Sequence, residues 1–434
     1  MNVKECECSK PELDLFTVPP VNTTMESGTL VEHIPRSKPE DGPLEFEVKS
    51  NEKEYIDLAR TFLYIKAKIV KNSGANLEAT TKAGPVNLWF HSLFSQVDIQ
   101  LGHQLVTPSV NTYPYKAYLE TLLSYGSDAK ESQLTAEMWY KDTPPMEHND
   151  PYTDEADDKN EGFIARSQFS NTSKSVEMIG RLHSDIFHTG KYLLDGVDMH
   201  IKLIRSPAAF HLMADGTAYK TVIEDAVLYT RTVKINPSIT TKINTQLDAG
   251  LRVKYPIRRS VVSTFTIGQN TLTVHKDNAL MGQLPRRVVI GLVSNKAFHG
   301  AVTHNPFNFQ HFNLSYLSLY MGGRQYPSKP LTPNYTNDQF LRSYLTLFEG
   351  TGMLNDNKGH GIGRGSYKDG FALYAFDLTP DMAEGPHIDP IKHGNIRLDL
   401  QFSAALAETV NVIIYAEYEN LIQIDRARQV ITDY

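Results

Sequence analysis

Cysteine is almost missing from the chain: Cys6 and Cys8 are the only two in 434 residues. Two thiols cannot build a disulfide framework, and no second Cys or Cys/His pair with zinc-ligand spacing follows nearby. They read as reduced thiols on a tail, in preference to a crosslink to a neighbouring chain. Long apolar runs are missing as well. The longest, near residues 288–293, is far short of the ~20 residues that a bilayer requires. The opening MNVKECECSK lacks the apolar stretch of a signal peptide, so a soluble protein made inside the cell is expected. There is no surplus of positive charge: 43 Lys+Arg against 50 Asp+Glu leave a net −7. A protein that coats DNA by neutralising phosphates should be basic, so sequence-specific nucleic-acid binding is not expected. GxSxG, HExxH and P-loop patterns do not occur.

What is present is a large apolar and aromatic content, 41% and 10%, enough for a sizeable core. Residues 1–43 are broken by Pro11, Pro19, Pro20, Pro35, Pro39 and Pro43 and carry no helical period. Proline fixes φ and removes a donor, so this segment reads as an extended arm without a central strand. Leu13, Leu15, Phe16 and Val18 form one apolar strip within it, a candidate contact between assembled copies. From Leu44 the texture is β. LEFEVKS, ARTFLYIKAKIV and SQVDIQLGHQLV alternate or carry β-branched and aromatic residues. YPYKAYLETLLSYG places Tyr115, Tyr118, Leu119 and Leu122 at helical spacing, with Gly126 beyond the helix end. Residues 142–162 are acidic and rich in turn formers, and read as a long surface loop. The second half repeats the β texture in RRSVVSTFTI, RRVVIGLV, LSYLSLYM, GFALYAFDL, NIRLDLQF and TVNVIIYAEYENLIQI.

The candidates for chemistry have plainer readings. KGHGIGRGSYKDG, residues 358–370, is glycine-dense but has neither the G-x-G-x-x-G order nor a strand–helix context, so a loop is preferred to a phosphate cradle. His299, His304 and His311 lack zinc-ligand spacing and read as polar loop histidines. Asp154, Glu155, Asp157 and Asp158 lack the EF-hand order with its glycine. The doublets Arg258-Arg259 and Arg286-Arg287 read as salt-bridged rather than as a nucleic-acid face. No metal or cofactor is expected. In the aromatic segment 298–312, Phe298, Phe307, Phe309 and Phe312 are candidates for loop packing near a subunit contact.

The halves repeat one another. VDIQLGHQ matches LSLYMGGRQ at a strand–glycine–Gln turn, with Gly102 against Gly323. Each is followed by a helix with Tyr-Leu, at Tyr118-Leu119 and Tyr344-Leu345. GVDMHIKLI matches GNIRLDLQF, and VIEDAVLYTRTVKI matches NVIIYAEYENLIQI as a closing strand. Each unit has too many strands for one open sheet without exposed edges, so each should be a double-sheet sandwich. The expected fold is all-β: two tandem eight-stranded jelly rolls, residues 44–236 and 237–434, behind an arm of residues 1–43. Each roll should carry a helix after its fourth or fifth strand.

The strings SLFSQVDIQLGHQLV, YPYKAYLETLLSYG, FDLTPD, GNIRLDLQF and NVIIYAEYENLIQID resemble double jelly-roll major capsid proteins. The nearest likeness is to those of Polinton/Maverick elements and adintoviruses. The wider family includes capsid proteins of large nucleocytoplasmic DNA viruses and the adenovirus hexon. The likeness runs from about Leu44 to the C-terminus, and residues 376–381 and 416–420 are its most specific part. It implies a homotrimeric capsomer with a pseudo-hexagonal outline, a shell of a double-stranded DNA virus or virus-like transposon, a penton or minor capsid partner and residence in the virion. It also implies no enzyme activity and, in so short a chain, modest outer loops. The rival from another class is a tandem β-sandwich that binds carbohydrate or hydrolyses glycosides.

Overall fold

The computed structural model describes residues 11–16, 18–37, 42–51, 53–153, 159–216, 219–380, 382 and 388–433. Cys6, Cys8 and the acidic run 154–158 lie outside them.

Eight strands form the two main sheets of the first half: β1 Met25–His33, β2 Leu44–Val48, β3 Glu54–Lys71, β4 Phe94–Leu101, β5 Gln104–Leu105, β6 Val176–Gly180, β7 Met199–Arg205 and β8 Tyr219–Ile235. They build two antiparallel sheets in the orders β1-β8-β3-β6 and β2-β7-β4-β5. The second half has β9 Val253–Ile267, β10 Thr273–Gln283, β11 Arg287–Ser294, β12 Leu314–Met321, β13 Arg324–Leu331, β14 Leu373–Asp377, β15 His393–Phe402 and β16 Val410–Ile424. Their orders are β9-β16-β11-β14 and β10-β15-β12-β13, with a short β17, Val430–Thr432, on β16. Adding eight to each strand number of the first half gives the second. Both halves are therefore jelly rolls of one topology, and every sequence match falls on equivalent strands: β4 and β5 with β12 and β13, β7 with β15, β8 with β16.

Local chemistry accounts for the matched turns. Leu101 pairs with Gln104 across Gly102, whose φ is 58°. Met321 pairs with Arg324 across Gly322 and Gly323, at φ 54° and 79°. Positive φ at the first central residue, or at both, is what a two-residue hairpin demands, and glycine meets it without Cβ strain. After each hairpin comes a helix, α1 Tyr113–Ser124 in the first roll and α4 Leu341–Glu349 in the second; α2 Glu161–Ser170 and α3 Pro237–Asp248 lie between them in the chain. Residue 236 falls between β8 and α3.

One boundary is corrected. The first roll begins at β1, inside the segment expected to be all arm. Met25–His33 has no proline and pairs with β8 along its length. It is an edge strand, which the flanking prolines permit. The loop 142–162 is also less exposed than its composition suggests: Asp142, Met146 and Asn160 are buried.

The core has two main parts. One lies between the sheets of the second roll, with Val288, Ile290, Leu292, Val412 and Ile414 in it. The other fills the first roll and continues through α1 onto the opposite face of the β9-β16-β11-β14 sheet, at Val289, Val293, Ile413 and Tyr415. That sheet is covered on both faces, so all eight residues of β11 are buried.

Candidate assembly surfaces and the seam between the rolls

The arm strip stays outside the core. Leu13, Leu15, Phe16 and Val18 are between 72% and 96% exposed. Exposed apolar residues scattered singly need no explanation; here four fall within six positions.

The aromatic segment 298–312 behaves differently. Phe307 and Phe309 are wholly buried inside their own chain. Phe307 stacks on Tyr118 of α1, with centroids 4.2 Å apart and planes 1° from parallel. Phe298 stacks on Tyr115 at 5.7 Å. The loop closes the seam between the rolls, and Phe307 and Phe309 have no surface left for a second chain. Phe298 and Phe312 remain partly exposed. Of the three histidines, His311 stacks on Tyr335 at 4.0 Å, His304 bonds Thr303 and His299 is exposed.

A buried polar network crosses the same seam. Lys116 of α1 donates to Asp185 at 2.6 Å and to the Ser260 carbonyl of β9 at 3.2 Å. Burial alone would push Lys116 down, but the Asp185 and Glu120 carboxylates outweigh it and hold the ammonium above its ordinary pKa. Burial likewise opposes ionisation of Glu120, yet Lys116 and His183 hold it below the usual carboxylate range. The Tyr415 hydroxyl of β16 lies 3.1 Å from both Ser260 Oγ and Glu417 Oε1. Beside the network, a polar cavity of about 650 Å³ opens between the rolls.

Two triads in this region, His91–Glu137–His183 and Glu120–His183–His188, bring potential ligand atoms within 4.8 Å of one another. Their hydrogen bonds account for the arrangement. His91 bonds Tyr113 and Glu137 through its two ring nitrogens, at 2.8 and 3.2 Å. His183 bonds Glu120 and Thr121, at 2.6 and 3.2 Å. Lys116 Nζ stands 3.9 Å from Glu120 and would repel a cation. Sequence reading missed this network because, apart from the i,i+4 pair Lys116 and Glu120 on α1, its members come from separate segments around residues 91, 137 and 183–185.

No family model matches the chain. It is similar to the uncharacterized protein F54H12.2 of Caenorhabditis elegans, 22% identical over 406 residues, covering 91% of this chain and 94% of that protein. Among solved structures, VP54 of PBCV-1, fitted into a reconstruction of the virophage Sputnik, matches with TM-score 0.59 and 10% identity, over 96% of this chain and 99% of that one. The Faustovirus major capsid protein matches at 0.58 and 8% identity, over 94% and 92%. The mavirus major capsid protein matches at 0.52 and 11%, over 100% and 95%. The fold is the double jelly roll of viral major capsid proteins.

Within this double jelly roll the basic doublets are tied down. Arg286 pairs with Glu419 at 2.9 Å and Arg287 with Glu417 at 3.5 Å. Arg259 bonds Asn420 and lies over the Tyr418 ring. The glycine-dense string forms a loop and the five-residue helix Arg364–Lys368. Its carbonyls at His360 and Gly361 accept from Lys130 and Lys141. A phosphate cradle presents N–H groups instead.

Proposed function

We propose that this chain is the major structural subunit of an icosahedral shell, with residues 25–236 and 237–434 as its two rolls. The observation that carries the reading is the repeat of one eight-strand order across both halves, together with a match to major capsid proteins along almost the whole of both chains. The role is structural, not catalytic. Three copies, each a pseudo-two-fold block, close a ring with a six-fold outline and few free sheet edges. Such trimers tile the shell, and a penton or minor capsid protein fills its vertices. The relative in a nematode supports a virus-like element carried by an animal genome, of the Polinton/Maverick or adintovirus kind. The residence is then the virion capsid.

The test is light scattering and negative-stain imaging of the purified full chain. Trimers with a pseudo-hexagonal outline, or closed shells, are the expected result. A stable monomer at micromolar concentration would overturn the reading.

A further inference from the structure

Among the described residues, a mainly apolar opening lies not at the seam but beside the linker helix. It is a groove of about 580 Å³ between α3 and the start of β9, lined by Tyr192, Ile239, Ile243, Leu251 and Val253. Leu251 is 60% exposed on its rim. Lys191, Arg252 and Lys254 also line it, and no carboxylate does. A basic rim around an apolar floor suits an apolar, acidic segment.

The chain itself carries such a segment. Residues 11–18 present Leu13, Leu15, Phe16 and Val18 to solvent, and the same stretch carries Glu12 and Asp14. Among the described residues of the arm segment, only Thr24 and Met25 line the groove. There Asn236, just ahead of α3, donates its backbone N–H to the Thr24 carbonyl at 3.0 Å and pins the root. Pro19 and Pro20 stand between root and strip. Two successive prolines hold the backbone extended between root and strip.

The geometry points to docking of this strip into the α3–β9 groove of a second copy of the chain. It rests on the shell reading and gives that reading a specific contact: the arm of one subunit inserted as an extended peptide beneath the linker helix of its neighbour, with its acidic residues against the basic rim.

A photo-reactive phenylalanine analogue at position 16 of the full chain tests it. Light and isotope-heavy copies, both carrying the analogue, are mixed, assembled and irradiated, and crosslinked peptides are mapped by mass spectrometry. Mixed light–heavy crosslinks should fall within residues 239–255. Crosslinks confined to one isotope would mean that the arm folds back on its own chain, and would overturn the inference. Mixed crosslinks elsewhere, in shells that form normally, would overturn it and leave the shell reading standing. A chain that stays monomeric without mixed crosslinks overturns both. Leu251→Glu, on the exposed rim, should reduce the mixed crosslink at least tenfold with the fold intact by circular dichroism. An unchanged yield would count against the groove. Ile243→Glu provides the same readout from the helix side.

Discussion

Lys130 shows how burial sets a side chain's response to pH. It donates to the carbonyls of Leu122 and His360, both at 2.7 Å, and lies 5.5 Å over the Trp139 ring. Burial, with a smaller contribution from Lys141, pushes its pKa down to about 7. The unfolded chain keeps that proton to about 10.5, the ordinary lysine value. Between those values only the unfolded state is protonated, so stability should rise with pH from about 7 to about 10.5, by at most ~1.4 kcal/mol per unit. Urea unfolding across that window should show a shallower rise for Lys130→Met than for the parent chain; parallel curves would refute it. Arg166 is a second buried cation, and it is fully partnered. It donates to Asp142 at 2.7 Å and to the Pro85 and Tyr140 carbonyls, and Asn305 of the second roll holds the other Asp142 oxygen at 2.9 Å. Arg166→Met would leave a buried carboxylate without its cation. Such a loss costs about 3–5 kcal/mol, to be read as a fall in the urea midpoint at constant slope.

Among the elements, β11 is the most constrained. RVVIGLVS lacks polar alternation because its sheet is buried on both faces, between the second roll's inner core and the seam. Gly291 sits where the 298–312 loop crosses it. A Cβ there would fall 2.5 Å from Phe309 Cδ1 and 2.8 Å from Leu373 Cδ2. Gly291→Ala should therefore destabilise the chain by roughly 1–3 kcal/mol through overpacking. Phe309→Leu in that background should recover part of the loss, giving a favourable coupling in a double-mutant cycle. Additive effects would show that the strand, not the phenylalanine, takes the strain. The first strand of the roll leads to a second element-scale expectation. β1 covers the edge of β8 from Met25 to His33. Deleting residues 1–20 should leave the melting temperature unchanged, whereas deleting residues 1–40 strips β8 and should lower it by several degrees. Equal melting temperatures for the two truncations would mean that β1 contributes no stability.

For the whole molecule, the two rolls are joined into one body by α1, the 298–312 loop and the Lys116–Asp185 network rather than by the covalent linker alone. The seam carries close aromatic stacking and buried ion pairs, features of a permanent interface. The outward features include the arm strip, the groove by α3 and the polar cavity. Truncation to residue 20 therefore separates two levels of organisation. On the proposed shell reading, trimers should persist in light scattering, because Leu13, Leu15, Phe16 and Val18 are at least 72% exposed on their own chain. Shell yield should fall, because the contact proposed between neighbours is gone. Normal and equally stable shells from the truncated chain would make the strip a dispensable leader.

Much of the fold was legible in the sequence. Strand alternation, the glycine turns at Gly102 and Gly323 and the matched closing strands are local signals, and local backbone chemistry is enough to set them. They determined the β class, the doubling and the helix after each hairpin. The start of the first roll was not legible, because prolines on both sides of Met25–His33 mask an edge strand that forms only when β8 supplies its hydrogen bonds. The fate of the phenylalanines was not legible either: Phe16 and Phe307 look alike in composition, and only packing against α1 buries one while the other stays in solvent. The seam network lay beyond the sequence for the same reason. Its members come from residues 91 to 417, and their partners are fixed by the approach of two sheets and a helix, a long-range geometry that no spacing along the chain encodes.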